Sequence, residues 1–241
     1  MKLTGKGTLG LAATAAVVTG TLAGVWAGSH GAETPSRGSE VVLAQADDVL
    51  PSVTSTDWVT YADRVVVVRP TSDREIPATE EENEAGEGYI GRSATLAVDK
   101  VLWSRSGAPA VPRSLTLDVA GWAFKDDQRQ EFAVHDTPRL ETGHTYIVAL
   151  ARLDDGTWSI LGSGASLPYD GGVIGNGESE GNTVEAAKPA SKSVSAARTA
   201  PGTSHDVEDS VEDSVEAQVN GESDDALVSL LNDTAPAPDA S

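Results

Sequence analysis

Hydrophobic and polar residues alternate at several places between about residues 57 and 174, and this pattern predicts β-strands. In residues 114–122, leucine and valine occupy every second position, while Thr116 and Asp118 lie between them. Such alternation is typical of a strand with one buried face. The run Val65–Val68 is β-branched throughout, which favours a strand buried on both faces.

Two further segments carry strand patterns. In residues 94–99 apolar and polar side chains alternate, with the apolar ones at even positions. After Asp99 the apolar residues Val101 and Trp103 fall at odd positions, and a β-bulge would cause such a shift. Residues 144–162 predict a hairpin closed by an Asp-Asp-Gly loop at 154–156. The segment contains five or six strand candidates and no convincing helix. The expected fold is therefore mainly β, a small barrel or sandwich.

The segments that flank or interrupt these strands look unstructured. Residues 28–56 are small and polar with two prolines, and they predict a flexible linker. Thr71–Gly91 carries five glutamates in its Glu80–Glu87 part and predicts a long, mobile acidic loop. Whether the Glu80–Glu87 part binds a cation is left open, because it lacks the alternating acidic spacing of a rigid calcium loop.

The N-terminal 27 residues have the features of an export signal. Lys2 and Lys6 precede an uncharged, largely apolar run, and Val25 and Ala27 suit the small-residue positions before a cleavage point. The same run is long enough to remain as an uncleaved signal anchor. Both alternatives place everything downstream outside the cytoplasm, because the lysines stay inside.

Residues 175–241 predict a disordered acidic tail. They contain 14 acidic and three basic side chains and no aromatic residue, a composition that buries too little surface to offset chain entropy. One alternative remains open. Valines at positions 207, 211, 215 and 219 lie four residues apart, and leucines follow at Leu227 and Leu231, so this part could form a helix that folds on a partner.

Composition supports one folded domain at residues 57–174. Ten of the eleven aromatic residues lie there, and aromatic side chains dominate cores. The net charge of −20 gives no electrostatic support for binding nucleic acid. Cysteine is absent, which excludes disulfides and cysteine-ligated metal.

No residue set has the spacing of a catalytic, cofactor-binding or metal site, although His135 with Asp136, His144 and Glu131 could converge in space as metal ligands. Ser163 and Ser166 lie among small residues, but the spacing is not that of a nucleophile elbow. The positions of four side chains in the folded protein would distinguish an enzyme from a non-enzymatic protein. They are those of Asp118, Glu131, His135 and His144. If they share one concave pocket, an enzyme is indicated; if they scatter, it is not. No cofactor is expected.

Three segments together suggest a family. They are VVVVRP at residues 65–70, ATLAVDKVLW at 94–103 and the hairpin region that ends with DGTWSILG at 155–162. Over residues 58–175 the chain resembles small exported β-domain proteins of high-GC Gram-positive bacteria. The resemblance implies a compact β fold, similar in outline to OB or TIMP-like barrels, and it implies no activity.

These observations predict an exported protein, secreted or held at the outer face of the cell membrane, that acts as a non-enzymatic binding module. The alternative is an envelope hydrolase whose site has no recognised motif. The expected partner is an unidentified component of the envelope or the extracellular space. Contact with membrane is expected only through residues 1–27, if they are not cleaved, and the chain is expected to be a monomer.

Overall fold

The computed structural model describes residues 41–45, 48–186 and 213–238. The predicted signal segment lies outside these residues. The strands are β1 (Val42–Ala44), β2 (Arg64–Ile76), β3 (Glu87–Ser104), β4 (Ser114–Lys125), β5 (Gln128–Val134), β6 (Tyr146–Arg152), β7 (Trp158–Ile160), β8 (Ser166–Pro168), β9 (Gly177–Ser179) and β10 (Asn182–Val184). The helices are α1 (Ser55–Tyr61), α2 (Glu80–Ala85), α3 (Val215–Val219) and α4 (Asp224–Asp233).

The fold is mainly β and is built on one sheet of eight strands. The strand order is β1-β5-β4-β3-β2-β6-β7, with β8 also paired to β6. All pairs are antiparallel except β1 with β5. The described strands do not form a closed barrel, but β4 and β7 contact each other across the curl of the sheet. The prediction of five or six strands was too low, because it omitted the short strands near both ends.

Strand β2 lies between two hydrophobic clusters. Val66 and Val68 pack inside the curl of the sheet, and Val65 and Val67 pack on the opposite face against the helices. The prediction that Val65–Val68 is buried on both faces is confirmed. The alternation in β4 is confirmed as well, since Leu115 and Leu117 are buried whereas Thr116 and Asp118 are exposed.

The predicted irregularity in β3 is confirmed. Val66 pairs with Val101 although its neighbour Val65 pairs with Trp103, so one residue of β3 is skipped, and a second shift follows between Val67 and Val68. The predicted hairpin is also present, with β6 and β7 joined across a loop in which Gly156 has φ of +86°.

Helix α1 corrects the expectation of an all-strand domain. Thr54 accepts a hydrogen bond from the Asp57 amide at 3.1 Å, and the Asp57 side chain accepts one from the Thr54 amide at 2.8 Å. This reciprocal capping starts the helix. Trp58 is fully buried, and its indole N–H donates to the Ser52 carbonyl at 2.7 Å. Tertiary burial of one tryptophan thus stabilises a helix of seven residues, which is too short to be stable alone.

The predicted linker is ordered in its described part. Val42–Ala44 forms β1 beside β5, and Asp48 accepts hydrogen bonds from the Ser163 amide at 2.8 Å and from the Ser52 hydroxyl at 2.6 Å. These contacts fix the approach to α1. The prediction of flexibility is therefore wrong for these residues, and residues 28–40, 46 and 47 lie outside the described part.

The prediction that Thr71–Gly91 forms a mobile loop is also wrong. Strand β2 continues to Ile76, and β3 begins at Glu87. The two strands remain paired as far as Ile76 and Gly91, and α2 lies at the tip of this hairpin. The acidic residues are solvated but ordered, because the β2–β3 pairing constrains both ends of the short helix.

The C-terminal acidic segment forms two helices on the body of the protein. The fully or almost fully buried residues there are Val215, Val219, Leu227 and Leu231, which share a cluster with Trp58, Val65 and Ile147. Backbone hydrogen bonds also join the segment to the body, such as the one from the Val215 amide to the Val53 carbonyl at 2.9 Å. The predicted disordered tail is therefore wrong for residues 175–186 and 213–238; residues 187–212 and 239–241 lie outside the described part.

Candidate functional site

The site forms where β4 and β5 separate. Their pairing ends at Trp122 and Glu131, and the Arg139 side chain fills the gap beyond. Its Nη1 donates to the Gly121 carbonyl at 2.9 Å and to the Phe132 carbonyl. A Cβ on Gly121 would lie 2.1 Å from the Ile90 carbonyl oxygen, so no other residue fits here. Arginine thus satisfies backbone groups that the diverging strands leave unpaired.

A second arginine joins the first through a shared carboxylate. Arg92 and Arg139 have side chains only 1% exposed. Glu141 accepts from Arg139 Nε at 2.9 Å and from Arg92 Nη1 at 2.9 Å. Arg92 Nε donates to the Ala120 carbonyl at 2.9 Å. Two buried cations are tolerated because their donors meet carboxylate and carbonyl oxygens.

Glu178 connects this network to the β9–β10 hairpin. Its carboxylate accepts from the Arg139 amide at 3.1 Å, from the Gly181 amide at 2.7 Å and from the Tyr146 hydroxyl at 2.7 Å. Burial, followed by the charge of Glu178, raises the pKa of Tyr146 far above its usual value. The phenol therefore stays protonated and donates, which fixes the hairpin against the sheet. We refer to Arg92, Arg139, Glu141, Tyr146 and Glu178 as the arginine network.

Trp122 lies above the arginine network and is only partly exposed. The Arg129 guanidinium carbon is 3.7 Å from the centre of the indole ring, and Arg129 is held by Glu75 at 2.6 Å. This is cation–π geometry. One face of the Trp122 ring is therefore covered by Arg129.

The β9–β10 hairpin places Glu180 beside the residues that follow β5. Glu180 and Gly181 form its two-residue loop, and both have positive φ, as in a type I′ turn. The Glu180 carboxylate accepts from the Asp136 amide at 2.7 Å. Asp136 also has positive φ, of +54°, a conformation that aspartate tolerates better than most residues.

Three potential metal ligands meet at this place. His135 Nδ1 is 2.9 Å from Asp136 Oδ2 and 3.8 Å from Glu180 Oε1, and the three ligand atoms lie within 4.8 Å of one another. His135 and Asp136 are exposed, and Glu180 is partly buried. We refer to His135, Asp136 and Glu180 as the rim triad. It is the one such group of three found among the described residues.

The four side chains proposed as a test of enzyme function do not come together as one ligand group. His135 belongs to the rim triad, whereas Asp118, Glu131 and His144 do not. Glu131 flanks the same turn, because a Cβ on Gly181 would lie 3.2 Å from its Oε2. His144 Nδ1 instead pairs with Asp170 at 2.6 Å, and Asp118 is exposed on β4.

The two candidate serines and the acidic hairpin tip lie in different environments. The Ser163 hydroxyl donates to Asp48 at 2.9 Å, whereas the Ser166 hydroxyl is buried in β8 and finds no hydrogen-bond partner among the described residues. In the acidic hairpin tip, the Glu82 carboxylate accepts from the amides of Thr79 at 2.8 Å and Tyr89 at 3.0 Å. These hydrogen bonds lower the pKa of Glu82, which is the behaviour of a capping residue.

Sequence reasoning missed the arginine network and, in the rim triad, Glu180. Arg139 stands in a turn-like sequence, and Glu178 and Glu180 stand in the segment taken as tail. One signal was present: the Glu180-Gly181 pair is flanked by short polar residues at Ser179 and Asn182, which is typical of a two-residue hairpin loop. The contacts between these distant segments have no local pattern.

In the part of the chain that the structure describes, no helix has the length and apolar character needed to cross a membrane. No model of a protein family matches the chain, and no curated protein matches it either.

Proposed function

We propose that the protein is an exported, non-enzymatic binding module that acts at the outer face of the cell envelope or after secretion. The observation that carries the proposal is the rim triad, three polar side chains that converge at an exposed position on a rigid base. The arginine network lies beside it and, through the hydrogen bonds of Arg139 and Glu178, fixes the segments that present the triad. Preorganised side chains lose little entropy when a ligand binds.

The distribution of ionisable groups favours binding over hydrolysis. Arg92, Arg139 and Tyr146 are buried and engaged in hydrogen bonds, so they are unavailable to a substrate. His135 and His144 belong to different acid pairs, whereas a hydrolase needs its base, nucleophile and orienting group together. The hydrolase alternative therefore has less support.

The architecture and the N-terminal sequence support the rest of the proposal. A curled sheet that presents loops at one end suits a recognition platform, similar in outline to OB or TIMP-like barrels, and this part rests on analogy of fold. Export is proposed from Lys2, Lys6 and the apolar run of residues 7–27. The module is proposed to act as a monomer on an envelope or extracellular component.

Capture from envelope material tests the proposal. The purified full chain is immobilised and exposed to fractionated cell envelope and culture medium, beside a Glu180→Ala variant with the same circular dichroism spectrum. A component retained by the wild type and lost by the variant supports binding at the rim. Equal retention by both chains, or hydrolysis of ester, peptide or glycoside substrates that depends on His135, would overturn it.

A further inference from the structure

We propose that His135, Asp136 and Glu180 bind a divalent transition-metal ion, with Zn²⁺ as the best-suited ion. This inference rests on the proposed binding function, because it names the ligand of the same rim. It adds Glu180, which is distant in the chain, to His135 and Asp136 as the third ligand.

The distances between the ligand atoms suit a metal of this size. Zinc binds imidazole nitrogen and carboxylate oxygen at about 2.0–2.2 Å, so two ligands at a tetrahedral angle lie about 3.4 Å apart. His135 Nδ1 lies 2.9 Å from the Asp136 oxygen and 3.8 Å from the Glu180 oxygen. These two separations bracket the required value, and all three ligand atoms lie within 4.8 Å of one another, so rotation of the exposed His135 and Asp136 side chains can bring the group to zinc geometry.

The chemistry of the three ligands selects the class of ion. One imidazole nitrogen with two carboxylate oxygens is a mixed donor set, which suits zinc and its first-row neighbours. Calcium prefers six to eight oxygen ligands. Because the side chains of His135 and Asp136 are exposed, water can complete the coordination shell.

Electrostatics at the rim also favour a cation. In the His135 tautomer that carries its proton on Nε2, all three ligand atoms are acceptors, and of these Glu180 Oε1 accepts from the Asp136 amide. A proton on Nδ1 supplies one hydrogen for two oxygens, whereas a divalent ion interacts with all three atoms.

The Glu180 carboxylate and the backbone that carries Asp136 are held before any ion arrives. Glu180 accepts from the Asp136 amide at 2.7 Å, and the Glu180 amide donates to the Thr137 carbonyl at 3.3 Å. The hairpin that carries Glu180 is fixed in turn by Glu178, whose carboxylate is buried. Hydrogen bonds around the ligands of a metal site commonly contribute to its affinity in this way.

Isothermal titration of the full chain, freed of metal by chelator, tests the proposal with ZnCl₂. We expect a site that His135→Gln weakens by about tenfold or more, since loss of even an outer hydrogen-bond partner commonly costs ten- to a hundredfold. His144→Gln is the matched control, because His144 pairs with a single carboxylate, that of Asp170. It should leave this site unchanged, and CaCl₂ should not compete.

Equal affinity in the two histidine variants would overturn the proposal, as would absence of zinc binding or preferential binding of calcium. Circular dichroism of each variant excludes unfolding as the cause of a loss. The envelope capture experiment repeated with chelator separates the two proposals. Rim-dependent capture by a chain that does not bind zinc would contradict the metal site and leave the binding function standing.

Discussion

Two acid-rich segments of the chain look alike in sequence and differ in structure. The tip of the β2–β3 hairpin forms α2, a helix that buries none of its residues. The segment at 213–238 forms α3 and α4, which bury Val215, Val219, Leu227 and Leu231 in the core. Acidic composition therefore did not distinguish a solvated helix from one that completes the domain.

The difference lies in what stabilises each helix. Helix α2 depends on local contacts: the reciprocal capping of Thr79 and Glu82, and the left-handed Gly86 at its end with φ of +72°. Helices α3 and α4 each present apolar residues four positions apart, which lie on one helix face. That stripe contacts residues more than a hundred positions earlier in the chain, such as Trp58.

Removal of the C-terminal helices should have the largest effect. A chain that ends at residue 212 uncovers the face around Trp58 and loses four buried apolar side chains, each contributing about 1.5–3 kcal/mol. We expect the melting temperature to fall by about 10 °C or more. Differential scanning calorimetry measures the change, with a chain that ends at residue 238 as the control. An unchanged melting temperature would mean that the helices do not pack.

A single truncation inside the stripe should have the next largest effect. Leu227 is fully buried, and Leu227→Ala should reduce the free energy of unfolding by about 2–5 kcal/mol, because it removes apolar contacts and leaves a cavity. Asn232→Ala, on the exposed side of the same helix, should change it by about 0.5 kcal/mol or less. Chemical denaturation measures both values, and equal losses would contradict the assigned face.

The ion pair that joins α4 to β3 should have a smaller, pH-dependent effect. Lys100 lies 2.6 Å from Asp224 and lowers the pKa of that carboxyl below its usual 3.8, with help from the Tyr169 hydroxyl and against the effect of burial. A lowered pKa contributes stability above the usual value, and the contribution is lost as the pH falls through the folded-state value.

Asp224→Asn should therefore lower the melting temperature by about 2 °C or less at neutral pH, because Lys100 is largely exposed. The difference from the wild type should shrink as the pH falls below 3.8 and vanish once Asp224 is protonated in the folded state. Thermal scans from neutral to acid pH measure it. A difference that grows as the pH falls would contradict the assigned direction of the pKa shift.

The smallest effect should come from the hairpin tip. Thr79→Ala removes the cap of α2, but the helix can unravel without exposing buried surface. We expect faster amide hydrogen exchange at Glu82 and a melting temperature within about 1–2 °C of the wild type. A loss as large as that of Leu227→Ala would mean that the two acidic segments do not differ in the way described.

The amino-acid sequence by itself determined the strands whose patterns are local. Alternation defined the buried face of β4, a β-branched run defined β2, and the Asp-Asp-Gly loop defined the β6–β7 hairpin. Because most aromatic residues lie at 57–174, the sequence also showed where most of the core forms. These features follow from neighbouring residues, because the periodicity of a strand or turn is visible within a few positions.

Only the tertiary structure decided where the domain ends and where the site forms. Val215 and Leu227 become core residues because a face around Trp58 is available to them, and composition alone gave no sign of that face. His135 and Glu180 meet because the network of Arg139 and Glu178 fastens the last hairpin to the sheet. Such contacts join residues distant in the chain, and the free energy of burial and ion pairing that stabilises them exists only after the chain has folded.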